Sequence, residues 1–205
     1  MGNLKSQHVV WHPGAVTKGD RENIAGHKAC TLWMTGLPAS GKSTVAVALE
    51  KALWERGVHA FVLDGDNIRH GLNKDLGFSP ADRNENIRRI GEVAKLFTTA
   101  GVINITAFIS PYRADRDQVR SLMERGEFVE VHVDCAISEC ERRDPKGHYK
   151  KARSGEIAEF TGVSAPYEPP LQPEVVVHTD RGSEAECVAQ LLRYLEDNGY
   201  IARAA

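Results

Sequence analysis

The sequence predicts an α/β fold: a single domain in three layers, with a mostly parallel sheet of about five strands between helices. Three observations predict it. Short apolar or β-branched runs recur along the chain and alternate with helical patterns. These runs are near-continuously apolar, as suits strands of a parallel sheet covered on both faces. One of them feeds a glycine-rich loop that opens directly into a helix.

The elements follow in chain order. Residues 1–28, with Trp11-His12-Pro13-Gly14 and a polar stretch from Lys18 to His27, read as an irregular arm before a domain at 29–205. The first strand covers 30–35. Behind the loop that follows it, Val45, Leu49, Ala52 and Leu53 recur at helical spacing. A second strand is expected at 60–63. A helix starts near Arg83, sets Ile87, Ile90, Ala94 and Phe97 on one face and stops at Gly101. After a strand at 102–109, another helix begins past Pro111, carries Val119 and Leu122, and stops at Gly126. Strands at 128–133 and 175–178 complete the sheet. The last helix runs from Ser183, which forms a capping box with Glu186, through Val188, Leu191, Leu192 and Leu195 to Asn198-Gly199.

The chain of 205 residues suits one well-cored domain, and its 41% hydrophobic and 26% charged content is ordinary for a soluble protein. A net charge of −2 argues against general nucleic-acid binding, so an anionic substrate must meet a local basic cluster. No apolar run approaches the roughly 20 residues of a membrane span, and the start leads into no signal-type segment. Met1-Gly2 with Ser6 meets a short myristoylation pattern that is common by chance, and we discount it. The four cysteines, Cys30, Cys135, Cys140 and Cys187, form no C-x-x-C pair. Neither a zinc site nor a disulfide framework is expected, and a reducing cytoplasm is the default.

The most specific signal is Gly36-Leu37-Pro38-Ala39-Ser40-Gly41-Lys42-Ser43-Thr44, which fits G-x-x-x-x-G-K-[ST] at every constrained position. The glycines let successive N–H groups turn inward on an anion, and the following helix adds the positive end of its dipole. Lys42 suits the β- and γ-phosphates, and the Ser43 hydroxyl suits Mg²⁺. The domain is therefore expected to be of P-loop NTPase type and to bind a nucleoside triphosphate.

In parallel sheets ligands collect at the carboxyl ends of the strands. After the second strand, Asp64-Gly65-Asp66-Asn67-Ile68-Arg69 is either a polar turn capping a helix or a pair of carboxylates for Mg²⁺ and an attacking hydroxyl. Arg69, Arg83, Arg88 and Arg89 are either a solvated helix face or forks for phosphate or sulfate oxygens. Phe78 is a core plug or a stacking platform. Ser110 either offers a catalytic hydroxyl or opens a Pro turn. The dense basic stretch from Asp144 to Arg153 reads, beside a phosphate loop, as a lid (residues 143–170) that closes over ATP.

Taken in order, the blocks Asp64-Gly65-Asp66-Asn67-Ile68-Arg69-His70-Gly71-Leu72, Asp75-Leu76-Gly77-Phe78-Ser79, Arg83-Asn84-Glu85-Asn86-Ile87-Arg88-Arg89, Phe108-Ile109-Ser110-Pro111-Tyr112-Arg113, Asp144-Pro145-Lys146-Gly147 and Phe160-Thr161-Gly162-Val163 resemble the adenylylsulfate kinases. The resemblance runs from about Trp11 to the last helix. Pro38-Ala39 stands where many members have Ser-Gly. It implies transfer of the ATP γ-phosphate to the 3′-hydroxyl of adenylylsulfate, with Asp66, Lys42 and Ser110 as the catalytic set. It also implies Mg²⁺ at Ser43 and Asp64, and Arg69, Arg83, Asn86, Ile109, Ser110 and Lys146 around the substrate. Phe78 and Phe160 would sandwich the adenine, and a homodimer is implied. In some members the serine matching Ser110 has been treated as a phosphoenzyme; direct in-line transfer is our expectation. The rival readings are another small-substrate kinase, such as a nucleoside monophosphate or sugar kinase, a GTPase-like switch, and a catalytically dead nucleotide-binding domain. The switch lacks its guanine-selecting N-K-x-D, because Asn73-Lys74-Asp75-Leu76 ends in leucine. The dead domain is opposed by the presence of every expected polar residue.

Overall fold

The computed structural model describes residues 8–203, so the Met1-Gly2…Ser6 pattern lies outside the described residues. The chain runs α1 (Lys18–Ala25), β1 (Thr31–Thr35), α2 (Lys42–Glu55), β2 (Ala60–Asp64), α3 (Gly65–Arg69) and α4 (Pro80–Thr99). It continues β3 (Ile103–Ala107), α5 (Arg113–Arg120), β4 (Phe128–Asp134), α6 (Ile137–Arg143), α7 (His148–Arg153), β5 (Val175–His178) and α8 (Glu184–Asp197). The strands form one sheet in the order β2-β3-β1-β4-β5. Every pairing is parallel.

Side chains alternate across β1, and each face has its own core. Leu32 and Met34 pack with Val45 and Leu49 of α2 and Val188 and Leu191 of α8. Trp33 points the other way, among Ile87 and Ile90 of α4 and Val119 of α5. The three layers are thus helix, sheet, helix. β1 lies in the middle, so the loop leaving its carboxyl end emerges between the ends of β3 and β4. That is where an open parallel sheet leaves a crevice.

Three expectations need correction. The polar stretch from Lys18 is not irregular: it is α1, opened by a reciprocal Thr17–Asp20 capping box and closed by Gly26 at φ 72°. Lys18 reaches Glu127 at 2.7 Å, and the Ala29 N–H donates to Glu22, so this helix is fastened to the domain. α4 begins at Pro80, with Ser79 as its cap, three residues before Arg83. α5 ends at Arg120, well short of Gly126, because the chain turns at Ser121–Met123. The edge strand β2 is also less buried than its apolar composition implies. Phe61 stays 48% exposed and stacks on Phe97 at 5.3 Å.

Candidate active site

The loop from Gly36 to Ser43 is held against the sheet from several sides. The Gly36 N–H donates to the Ile109 carbonyl at 3.4 Å, and the Thr179 hydroxyl donates to the Ser40 carbonyl at 2.6 Å. Gly41, at φ 92°, turns the chain into α2, and Ala39 adopts φ 58°, a conformation that glycine tolerates and alanine resists. The Lys42 ammonium folds back onto the loop. It donates to the Gly36 carbonyl at 3.0 Å, the Leu37 carbonyl at 2.7 Å and the Ser40 hydroxyl at 3.3 Å. Burial lowers its pKa to about 8. Leu37, Pro38 and Thr44 complete the turn and the first helical residues.

Ser43 donates to the Asp64 carboxylate at 2.6 Å. Asp64 ends β2, and its other oxygen caps α3 by accepting from the Asp66 N–H at 2.9 Å. The turn therefore caps a helix, as one alternative has it, and the same carboxylate also meets the phosphate loop. Asp66 is exposed, and the Lys146 ammonium of the basic segment bridges to it. Among the described residues, no group of three or more His, Cys, Asp or Glu could hold a metal ion.

Beyond Asp66 the arginines divide. Arg88 and Arg89 are both bonded to Glu85, and Arg89 also forms a bidentate pair with Asp75 at 2.7 and 2.8 Å. Those two read as the solvated helix face. Arg69 and Arg83 have no carboxylate partner within 4.0 Å among the described residues. They lie close enough that, after burial, Arg83 is the largest influence lowering the Arg69 pKa. Arg69 sits 4.3 Å above the exposed Phe78 ring. Arg83 donates to the Phe78 carbonyl at 2.9 Å, the Thr161 hydroxyl at 2.9 Å and the Glu159 carbonyl, which ties the flanks of Phe78 and Phe160 together. Phe160 is held edge-on by Tyr149 at 4.9 Å. Asn86 is buried, with its side-chain oxygen accepting from Asn73 at 2.9 Å.

Ser110 is 2% exposed and takes φ 43°; its hydroxyl accepts the Trp33 indole N–H at 3.2 Å. It lies in the turn past the end of β3, with its hydroxyl facing the core. Ile109, beside it, is partly exposed and braces the loop through its carbonyl.

A cleft of about 600 Å³ opens over the loop. Lys42, Ser43, Arg143, Lys146, Phe160 and Thr179 line it. Arg143 donates to the Thr179 carbonyl at 2.7 Å, whereas Arg142 pairs with Glu139 and points to solvent. Phe78, Arg69, Arg83 and Asn86 are not part of this cavity. Sequence reasoning missed Tyr149, whose hydroxyl donates to the Pro38 carbonyl at 3.0 Å and docks α7 on the loop. An aromatic residue inside the run His148-Tyr149-Lys150-Lys151 was the available signal.

Comparison with known proteins points to one family. A family model for adenylylsulphate kinase matches residues 28–178. The adenylyl-sulfate kinase of Staphylococcus carnosus is 60% identical over 198 residues, covering 97% of this chain and 100% of that protein. That of Staphylococcus haemolyticus is 59% identical over 197 residues, covering 96% and 99%. The solved APS kinase CysC of Mycobacterium tuberculosis, in complex with AMPPNP and APS, is similar at a TM-score of 0.79 and 46% identity. It covers 83% of this chain and 99% of that one.

Proposed function

The chain belongs to the adenylylsulfate kinase family, and on that premise we propose how its cleft moves a phosphate. The reaction is ATP + adenylylsulfate → ADP + 3′-phosphoadenylylsulfate. The observation that carries the reading is the 2.6 Å Ser43–Asp64 hydrogen bond, which joins the phosphate loop to the strand end that supplies Asp66.

The loop N–H groups and the α2 dipole receive the ATP phosphates. Lys42 exchanges its loop carbonyls for phosphate oxygens, a stronger charge-assisted set of partners. The Ser43 hydroxyl and Asp64 carboxylate are hard oxygen donors that fit Mg²⁺, which would neutralise charge on the β- and γ-phosphates. Asp66 takes the proton of the 3′-hydroxyl as that oxygen attacks the γ-phosphorus. The bond to the β–γ bridging oxygen breaks, and ADP leaves with its electron pair. Arg69, Arg83 and Asn86 hold the phosphosulfate and ribose, Ile109 borders them, and Phe78 and Phe160 flank the adenine. Residues 143–170 act as a lid, with Lys146 moving from Asp66 to the transferring phosphate as water is excluded. The buried Ser110 hydroxyl supports direct transfer over a phosphoenzyme.

No helix among the described residues is long and apolar enough to cross a membrane. The four free, buried cysteines fit a reducing cytoplasm, and a homodimer is the assembly we expect. ADP release measured with adenylylsulfate, AMP and gluconate tests the acceptor. Turnover is expected with adenylylsulfate alone; none with it, or a clear preference for either rival, sinks the reading.

A further inference from the structure

One buried arginine lies outside the chemistry just described and is wired to it from below. Arg116, on α5, is 1% exposed and among the largest fully buried side chains. Its Nε donates to Glu130 of β4 at 2.6 Å. One terminal nitrogen donates to the Ser110 carbonyl at 2.6 Å, and the other to the Glu168 carbonyl at 2.7 Å. A single planar fork therefore bridges a strand, the corner after β3 and the last residues of segment 143–170.

Each end of that bridge bears on the cleft. Ser110 holds φ 43°, a conformation a serine keeps only when its surroundings enforce it. Its carbonyl accepts from Arg116 and, at 3.1 Å, from the Thr35 hydroxyl, one residue before the phosphate loop. Thr35 also bonds the Ile109 carbonyl at 2.7 Å and the Tyr167 hydroxyl at 3.1 Å. Around Glu168 the attachment is repeated. Its N–H donates to the Pro111 carbonyl at 2.9 Å, its carboxylate accepts the Arg113 N–H at 2.8 Å, and the Arg113 side chain donates to the Pro169 carbonyl at 2.7 Å. By contrast, the segment's outer part meets Asp66 only through an exposed Lys146 pair, which water screens. The segment is thus bolted at its carboxyl end and, nearer its amino end, held by Arg143 on the Thr179 carbonyl and Tyr149 on the Pro38 carbonyl, with the Lys146 latch left exposed.

We propose that Arg116 is a positioning residue for phosphoryl transfer: it fixes the Ser110 corner and the carboxyl-terminal anchor of the lid as one rigid hinge, so that the lid closes on the phosphate loop in register. This rests on reading residues 143–170 as a lid. Glu130 has a separable part, since it neutralises the buried guanidinium but touches neither Ser110 nor Glu168.

Two substitutions separate the parts. Arg116→Lys keeps the charge opposite Glu130 but cannot span both carbonyls; Glu130→Gln removes the charge and keeps an acceptor for the fork. Steady-state turnover, thermal unfolding and trypsin cleavage at Lys150, Lys151 and Arg153 with a non-hydrolysable ATP analogue bound are measured on each. For Arg116→Lys we expect kcat at least tenfold lower, KM for ATP within twofold of the parent, and lid cleavage at least fivefold faster. Glu130→Gln is expected to lower the melting temperature while leaving kcat and cleavage within threefold. Should Arg116→Lys not fold, the double variant Arg116→Gln/Glu130→Gln removes the fork together with the carboxylate charge facing it and is expected to show the same cleavage and kcat signature. Unchanged kcat and cleavage in folded Arg116→Lys, or in Arg116→Gln/Glu130→Gln where that stands in, overturns the proposal, as does a loss in both lead variants that merely tracks the folded fraction. The cleavage readout does not depend on the acceptor. A parent protein inactive on adenylylsulfate therefore contradicts the proposed reaction and not the hinge.

Discussion

Replacing Gly36 by alanine tests how tightly the phosphate loop is seated on the sheet. A Cβ there would stand 2.5 Å from the Val133 carbonyl oxygen and 2.8 Å from the Ser40 hydroxyl. The hydroxyl can rotate away. Val133 cannot, because it lies in β4 and is paired with Val177 of β5. Ordinary Cβ contacts begin at 3.4 Å, so the loop must lift by about 0.9 Å, the difference 3.4 − 2.5. A misplacement of about 1 Å at a reacting centre costs roughly 10²-fold in rate, and the overpacking itself costs about 1–3 kcal/mol of stability. Gly71→Ala is the control, since a Cβ there meets nothing within 4 Å. ADP release and thermal unfolding are measured on both. The expected result is a kcat/KM about 10²-fold lower for Gly36→Ala, with Gly71→Ala unchanged. Activity of Gly36→Ala within threefold of the parent would refute the argument that the loop has no room to move.

Lys42 makes nucleotide binding pH-dependent. Its pKa in the free protein is lowered to about 8, and phosphates favour the charged form, so binding should take up a proton above that pH. Affinity then falls as pH rises from about 8, by up to about tenfold per unit. The same shift means that the ligand-free protein gains stability from this group as pH rises from about 8 towards 10.5. Calorimetric titration at pH 7 and 9 in two buffers checks the uptake, and none at pH 9 contradicts it. Ser110→Ala should lose about 1–3 kcal/mol of stability, because the Trp33 N–H is left without its acceptor, and keep turnover within threefold. Near-complete loss of turnover with nucleotide binding intact would favour a phosphoenzyme. Ala39→Gly removes the strain of φ 58° and should raise stability by up to about 1 kcal/mol in chemical denaturation; a destabilisation contradicts the assigned backbone conformation.

What could be read from the sequence follows the range of the interactions. The five strands and the cap of α8 were legible because period, β-branching and Ser183 with Glu186 are local signals. The start of α4 was missed although its signal was equally local: Ser79-Pro80 is a cap followed by a first-turn proline. α1 was missed for a different reason. It buries no residue, so no apolar face marked it, and only Thr17-x-x-Asp20 and Gly26 betrayed its ends. The phosphate loop and Asp64 were legible because a contiguous motif and a strand end locate them. The division of the arginines was not. Whether Arg89 meets a substrate or Asp75 depends on a turn 14 residues away, and the link from Arg83 to Thr161 spans 78. Arg116 carries no local signal, because its three partners come from three separate elements.

The most direct test of the account is formation of 3′-phosphoadenylylsulfate from ATP and adenylylsulfate by the parent protein and by Asp66→Asn, with ATP binding measured alongside. The account predicts stoichiometric ADP and 3′-phosphorylated product from the parent. For Asp66→Asn it predicts a kcat at least about 10²-fold lower, with ATP affinity within threefold. ATP hydrolysis without phosphorylated product, or an Asp66→Asn variant that turns over like the parent, would contradict it.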